Sequence, residues 1–432
     1  MRSSGRCIIV VIWAYSQVAQ AYSTFEPECT NPEEAVNFVG SPPTRGTLDI
    51  LWSSLFTIFA CTYTILHLNV PEQRDSEDAG RWENLQWGMK SLWGKAKWML
   101  ITVLAPEATL VYASIRLIYA HKRHPEFKAL ADVDQVPWTL AHTTLAIMGG
   151  FVLRGRSNRV GKDPEREIST AKSEPPATEQ WYILDLDTIL KLRSEGHITL
   201  PRITTSEIDD HSKGDSFAKA IAVVQIVWTI ASTITRAIRG LAISQLEISV
   251  IAFSVCALTI YACYWTSPKD VSVPITFLQW RGHIPSPIMG IVNGAKLGQA
   301  RITNDTFFNF SYDNVTEFTA LSFGALAFGA PHLLAWSSTF PTPAERIVWR
   351  AAALYCSVFG LVFNFVLLAY EHLGYSLERY SRWSAASFIT LGIPAVYILL
   401  RLFLLVETFR TLLFLPPSAY IATWTANVPM FG

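Results

Sequence analysis

Apolar residues recur in blocks of about twenty along most of this chain, separated by polar stretches. Twenty is the length at which a helix crosses the hydrocarbon core of a bilayer. The blocks cover 47–70, 97–120, 134–153, 217–238, 243–264, 318–338, 347–369 and 385–410. The pattern predicts an all-α, polytopic transmembrane helix bundle of seven or eight spans. Block 134–153 is the least apolar, and 97–120 is interrupted by Pro106-Glu107. Between the first two blocks, Trp82, Leu85, Met89, Leu92, Trp93 and Ala96 recur at helical spacing, with Lys90, Lys95 and Lys97 at other positions. That spacing predicts an amphipathic helix over 81–98 lying in the membrane interface.

The first residues have a different pattern. Arg2 and Arg6 precede a short apolar run, and Ala19-Gln20-Ala21 supplies small residues suited to signal peptidase. Residues 1–21 read as a cleaved signal peptide that sends the chain into the secretory pathway, to the endoplasmic reticulum or plasma membrane. A lumenal segment 22–46 then leads into membrane helices over 47–153. A polar loop 154–216, membrane helices over 217–264, a second loop 265–317, membrane helices over 318–415 and a tail 416–432 complete the chain.

Two signals disagree about orientation. Arg74, Arg81, Lys90 and Lys95 make loop 71–96 basic, and 154–216 opens with Arg154, Arg156, Arg159 and Lys162, so eight spans place both loops in the cytoplasm. The same count places the sequons at Asn304, Asn309 and Asn314 there too, although glycosylation acceptors are used on the lumenal side. A hairpin in place of span 97–120, turning at Pro106-Glu107, reverses that assignment. Loop charge, which drives insertion, favours eight spans.

Composition supports the membrane reading. Half the residues are hydrophobic, 16% are charged and 12% are aromatic, against about 25% charged in soluble domains. The formal net charge of zero gives no reason to expect a nucleic-acid partner. The expected partners are the lipid bilayer and a lipophilic small molecule. Ionisable residues inside spans are costly there, which makes each a candidate for function. Glu107 follows a proline near the middle of its span, His142 and His332 lie near the middle of theirs, and Glu247 lies one turn into the fifth. These four are the candidate catalytic residues. Trp138, Trp228, Tyr261, Trp336, Arg401 and Glu407 are the candidate substrate-binding groups, and Asn304, Asn309 and Asn314 the candidate glycosylation sites. A buried carboxyl retaining its proton donates it to an alkene or epoxide, and aromatic faces stabilise the cation that forms. The competing reading is that these groups pair with one another and hold helices together.

No Walker motif, dinucleotide fingerprint, nucleophile elbow or zincin motif is present, and the spacing of the histidines suggests no metal or other cofactor. Asp185-Leu-Asp187-Thr188 resembles the DxDT core of class II terpene cyclases, yet it reads more simply as a helix N-cap.

Several stretches carry a wider resemblance. They are Thr64-Ile-Leu-His-Leu-Asn-Val-Pro71, Leu104-Ala-Pro-Glu107, Met148-Gly-Gly-Phe151 and Lys213-Gly-Asp-Ser-Phe-Ala-Lys219. Leu246-Glu247, Pro268-Lys-Asp-Val271, Phe340-Pro-Thr342 with Trp349-Arg350, and Leu404-Leu-Val-Glu407 before Leu415-Pro-Pro417 continue it. In this order they resemble a large fungal family of multi-pass membrane proteins over about residues 47 to 430. The resemblance implies fold and topology, with no family-wide activity. His67, Glu107, Glu247, His332, Arg350 and Glu407 fall in or beside these stretches.

Three functions fit. The first is a membrane-embedded enzyme of isoprenoid or other specialised metabolism, a terpenoid isomerase or cyclase using acid–base chemistry. The second is a multi-pass transporter, and the third a membrane sensor or scaffold without catalysis.

Overall fold

The computed structural model describes residues 42–73, 80–156, 180–212, 216–294, 302, 304, 314–374 and 391–423. The signal peptide, most of segment 22–46 and Asn309 lie outside these residues. Five helices are long and apolar enough to cross a membrane, which is compatible with a membrane protein. They are α1 (Thr47–Ile65), α7 (Ser216–Ile238), α8 (Gln245–Cys263), α10 (Asn314–His332) and α11 (Pro343–Gly374). Helix α12 (Ile393–Arg410) completes the bundle. Helix α8 is apolar all round, as suits a central position, and α1, α7, α10 and α12 pack against it.

The second apolar block is a hairpin. Helix α2 (Arg81–Leu104) meets α3 (Pro106–Asp134) at an angle of 106°. Pro106 causes the break: it lacks an N–H, and its ring disfavours helical geometry at the residue before it. Ala105 accordingly takes φ −145°, ψ 68°, while Pro106 occupies the first turn of α3, where a proline fits. The Thr102 and Thr109 hydroxyls, 3.1 Å apart, tie the two arms together. Lys95 pairs with Asp270 at 3.2 Å. Trp82, Leu85, Met89, Leu92 and Trp93 on α2 are all exposed and form an apolar stripe.

The structure departs from an all-α fold beyond the bundle. The block 134–153, expected to span, instead forms a short helix α4 (Leu140–Ile147) and a strand β1 (Phe151–Arg156). Strand β1 pairs antiparallel with β2 (Gln180–Leu184) and parallel with β3 (Ile275–His283), giving the order β2-β1-β3. Helices α5 (Leu186–Ser194), α6 (Thr205–His211) and α9 (Ser286–Gly294) complete this unit. Its core joins Val70, Phe127, Trp138, Leu145, Phe151, Leu184, Ile203 and Phe277. The apolarity of 134–153 therefore serves a protein core, not a bilayer. Loops 154–216 and 265–317 supply β2 and β3 to one sheet, so their described parts meet at the same end of the bundle.

The other end is closed by polar contacts. Arg45 grips Glu247 through two bonds of 2.6 and 3.2 Å, and Thr44 bridges to Ile421. Arg236 donates to the carbonyls of Ala242, Ser418, Ala419 and Ile421 at 2.8–3.1 Å. Gln245 reaches the Thr339 carbonyl at 2.9 Å, and Arg410 reaches Glu345 at 3.0 Å.

Helices α10 and α11 approach backbone to backbone through glycines, the usual device where apolar surface alone gives no drive to associate. A Cβ on Gly329 would meet the Ser357 backbone at 2.4 Å, and one on Gly360 the Ser322 backbone at 2.4 Å. Gly324 likewise lets α10 lie against the Glu107 carbonyl. Gly329→Ala and Gly360→Ala should each cost about 1–3 kcal/mol of stability. Thermal unfolding in detergent reads this out, with Gly88→Ala, which meets open space on an exposed helix, as the control that is unchanged or slightly stabilised.

Candidate functional site

The break at Pro106 puts Glu107 in the first turn of a new helix, where the helix dipole favours negative charge. Arg401 stands half-way along α12, so the pair they form lies at mid-depth. The Glu107 carboxylate is 3.5 Å from Arg401 Nε and accepts a 2.8 Å hydrogen bond from the Tyr397 hydroxyl. Both charged residues are 7% exposed. Tyr397 stacks on Phe359 at 4.2 Å, and the Arg401 guanidinium lies 3.9 Å over the Phe328 ring. Phe328 in turn contacts the His332 ring at 4.7 Å.

His332 has an assignable tautomer. A carbonyl only accepts, so the 2.9 Å contact between Nδ1 and the Phe328 carbonyl puts the proton on Nδ1. Nε2 then offers its lone pair toward Ser249 at 3.4 Å, and Ser249 touches Thr408 at 3.1 Å. The Trp349 indole donates to the His332 carbonyl at 3.2 Å. Glu107, Tyr397, Arg401, Phe328, His332, Ser249 and Thr408 thus form one connected polar-aromatic set drawn from α3, α8, α10 and α12. Within it Glu107 Oε2 and Arg401 Nη2 are buried without a hydrogen bond.

Only Glu107, His332 and Arg401 of the expected residues meet here. Glu247 is held by Arg45 and by a capping box with Ser244 at the closed end. Glu407 lies 4.0 Å from Arg410, near that same end. Trp336 stacks under Arg350, Tyr261 bonds to Thr64, and Trp228 is half-buried on α7. Tyr397, the proton donor to Glu107, was visible in the sequence only as one aromatic among many. Asp185 caps α5 by accepting from the Thr188 N–H at 2.9 Å, and among the described residues no metal-ligating cluster forms.

His142 and Trp138 belong to the sheet unit. Thr139 N–H donates to His142 Nδ1 at 3.1 Å, so the proton sits on Nε2 and goes to the Ile203 carbonyl at 2.8 Å. Both ring nitrogens are used in joining α4 to the segment before α6. Trp138 packs at 5.2 Å from that ring and donates to Thr143. Burial holds the His142 imidazole below its ordinary 6.5, with the Ile203 carbonyl and Glu207 opposing. The unfolded chain takes up a proton as pH falls through 6.5 while the folded protein does not, so stability present above 6.5 is lost below it. The melting temperature of His142→Gln should therefore be lower than wild type at pH 7.5, with the gap narrowing toward pH 5. A gap independent of pH contradicts this.

A sequence profile of a family of unknown function, DUF8562, matches residues 18–294. That stretch contains α1, the hairpin, the sheet unit up to α9, α7 and α8, including Glu107 but not its partners on α10 and α12. No curated protein and no solved structure matches the chain significantly. The chain belongs to this family of unknown function.

Proposed function

We propose that this protein is a membrane-embedded enzyme that binds a lipophilic small molecule at the Glu107–Tyr397–Arg401–His332 set and rearranges it by acid–base chemistry. The observation that carries the reading is the pair of buried polar atoms, Glu107 Oε2 and Arg401 Nη2, that make no hydrogen bond among the described residues and lie amid aromatic rings. Orphaned polar atoms in an apolar interior mark a place where a bound molecule or a reacting proton is accommodated. Isomerisation needs a proton added at one carbon and removed at another, with no net change and no cofactor. In this reading Tyr397 gives its proton to one carbon of the substrate, Glu107 takes a proton from another, and the 2.8 Å hydrogen bond between them returns a proton to Tyr397, so the cycle closes. Tyr397 thus takes the donor role expected of Glu107. The aromatic lining favours an isoprenoid-like hydrocarbon as substrate.

A carrier is the second reading, favoured by the hairpin. Transporters commonly place a broken helix, its N-terminus aimed at the substrate, at mid-membrane.

We further infer six crossings, namely the five apolar helices and α12, with α2–α3 entering from the sheet end and returning to it. The expected eight-span arrangement loses 97–120 to the hairpin and 134–153 to the sheet unit. Removing two spans leaves the loop sides unchanged. The basic loops and the sequon at Asn304 then share the cytoplasmic side, and Asn304 Oδ1 is used in accepting the Asn69 N–H at 2.7 Å. The signal peptide, the lipid-facing stripe of α2 and the fungal membrane-protein resemblance are part of this same proposal.

Two experiments test these inferences. Expression in a microbial host rich in prenyl diphosphates should yield a new lipophilic metabolite, reduced about 100-fold or more in Glu107→Gln and Tyr397→Phe. No new product across several precursors sinks the enzyme reading, and altered distribution of an unchanged compound selects the carrier. Endoglycosidase treatment should leave the mobility of the protein unchanged; a shift that disappears in Asn304→Gln overturns the six-crossing orientation.

A further inference from the structure

Among the described residues three arginines are buried in the bundle, and their surroundings differ. Arg236 spends its guanidinium on backbone carbonyls at the closed end. Arg401 faces Glu107. Arg116, 1% exposed on α3, has neither arrangement. Its Nη1 donates to the His67 carbonyl at 3.2 Å, while Nε and Nη2 are buried with no hydrogen bond. Among the described residues no carboxylate forms an ion pair with it. Its guanidinium lies 5.8 Å from the ring centres of Tyr112 and Tyr264.

The groups around it are cationic or orphaned as well. The His67 ring stacks on Tyr264 at 4.3 Å. Its Nδ1 donates to the Ile65 carbonyl at 3.0 Å, and its Nε2 is buried without a partner. Lys269 donates to the last carbonyls of α1, Tyr63 at 3.2 Å and Thr64 at 2.9 Å. Burial pushes the His67 imidazole down to about 3, and Lys269, Arg116 and Lys219 push the same way against the Ile65 carbonyl. Positive charge is gathered here, and among the described residues no carboxylate forms an ion pair with Arg116. A buried guanidinium without a counter-ion is costly, which argues that one arrives from outside.

The two free nitrogens indicate what it is. Nε and Nη2 form the edge of a guanidinium that takes an oxyanion side-on through two parallel hydrogen bonds. The place also fits: α1 ends at Ile65 and the sheet unit begins at Val70, so the edge lies where bundle gives way to polar domain. We propose that the Nε/Nη2 edge of Arg116, flanked by His67 and Lys269, is a binding site for a phosphate group. The phosphate belongs to an amphipathic lipid or is free in solution. This goes beyond the acid–base site, because Arg116 lies nine residues from Glu107, about half a turn round the helix and on its opposite face.

The test uses the full-length protein in a neutral detergent, with inorganic phosphate and short-chain phosphatidic acid as separate probes. Wild type should gain a few degrees in melting temperature at about a hundredfold excess of probe over its Kd. A gain with both probes identifies free phosphate as sufficient, and a gain with phosphatidic acid alone identifies a lipid headgroup. Arg116→Met should abolish the gain and, with no probe present, melt no lower than wild type, because it removes an unbalanced charge. Arg116→Lys, which keeps the charge and loses the fork, should weaken probe affinity about tenfold or more, and it serves if the Met variant does not fold. No gain in wild type with either probe, an equal gain in Arg116→Met or undiminished affinity in Arg116→Lys overturns the proposal. So does an Arg116→Met that folds but melts far below wild type without probe, since that reveals an internal counter-ion.

Discussion

The pairing of Glu107 with Arg401 at the tip of a hairpin is the constraint from which the rest of the arrangement follows. A carboxylate and a guanidinium inside an apolar bundle are each costly alone and tolerable together. Pro106 breaks the helix just before Glu107, which lets the chain turn back at mid-depth and present that carboxylate to the middle of α12. Removing the break would carry Glu107 along a continuous helix, away from Arg401 and Tyr397. Glycine-mediated contact among α3, α10 and α11 brings Phe328 and His332 to the same depth.

The two ends of the bundle are built on different principles. One is closed by ion pairs and by arginine bonded to carbonyls, with Arg45, Arg236 and Glu247 joining the residues before α1 to those after α12. The other opens into a sheet unit with its own apolar core. Helix α3 belongs to both, since its first turns face α10 while Phe127 and Ala131 lie in the core of the sheet unit. A change in the hairpin is therefore one continuous helix away from the sheet unit, with Pro125 the interior proline between the two.

Apolar block length identified α1, α7, α8, α10 and α11 in the sequence, because a span needs no distant partner to be recognised. It failed at 134–153, where Trp138, Leu145 and Phe151 are as apolar as a span but pack against Leu184 and Phe277 from loops far along the chain. Nothing local announces that β1 will pair with both β2 and β3. The Pro106 break was legible, as was the cost of a mid-span Glu107. Its pairing was not: Arg401 stood out as a substrate-binding candidate and Tyr397 as one aromatic among many, with nothing to join either to Glu107 until the fold brought α12 against α3. Glu247 and His142 were singled out for the same reason as Glu107, and each turns out to be fully engaged locally, one by Arg45 and Ser244, the other by Thr139 and Ile203.

The most direct test of the account is a double-mutant cycle between Glu107 and Arg401, read as thermal stability of the purified protein in detergent. Glu107→Gln and Arg401→Met should each destabilise by leaving one buried group without its charge partner. The double variant should recover much of the loss, giving a coupling of about 1–3 kcal/mol. Effects that simply add would contradict the pairing and with it the hairpin tip on which the proposed site rests.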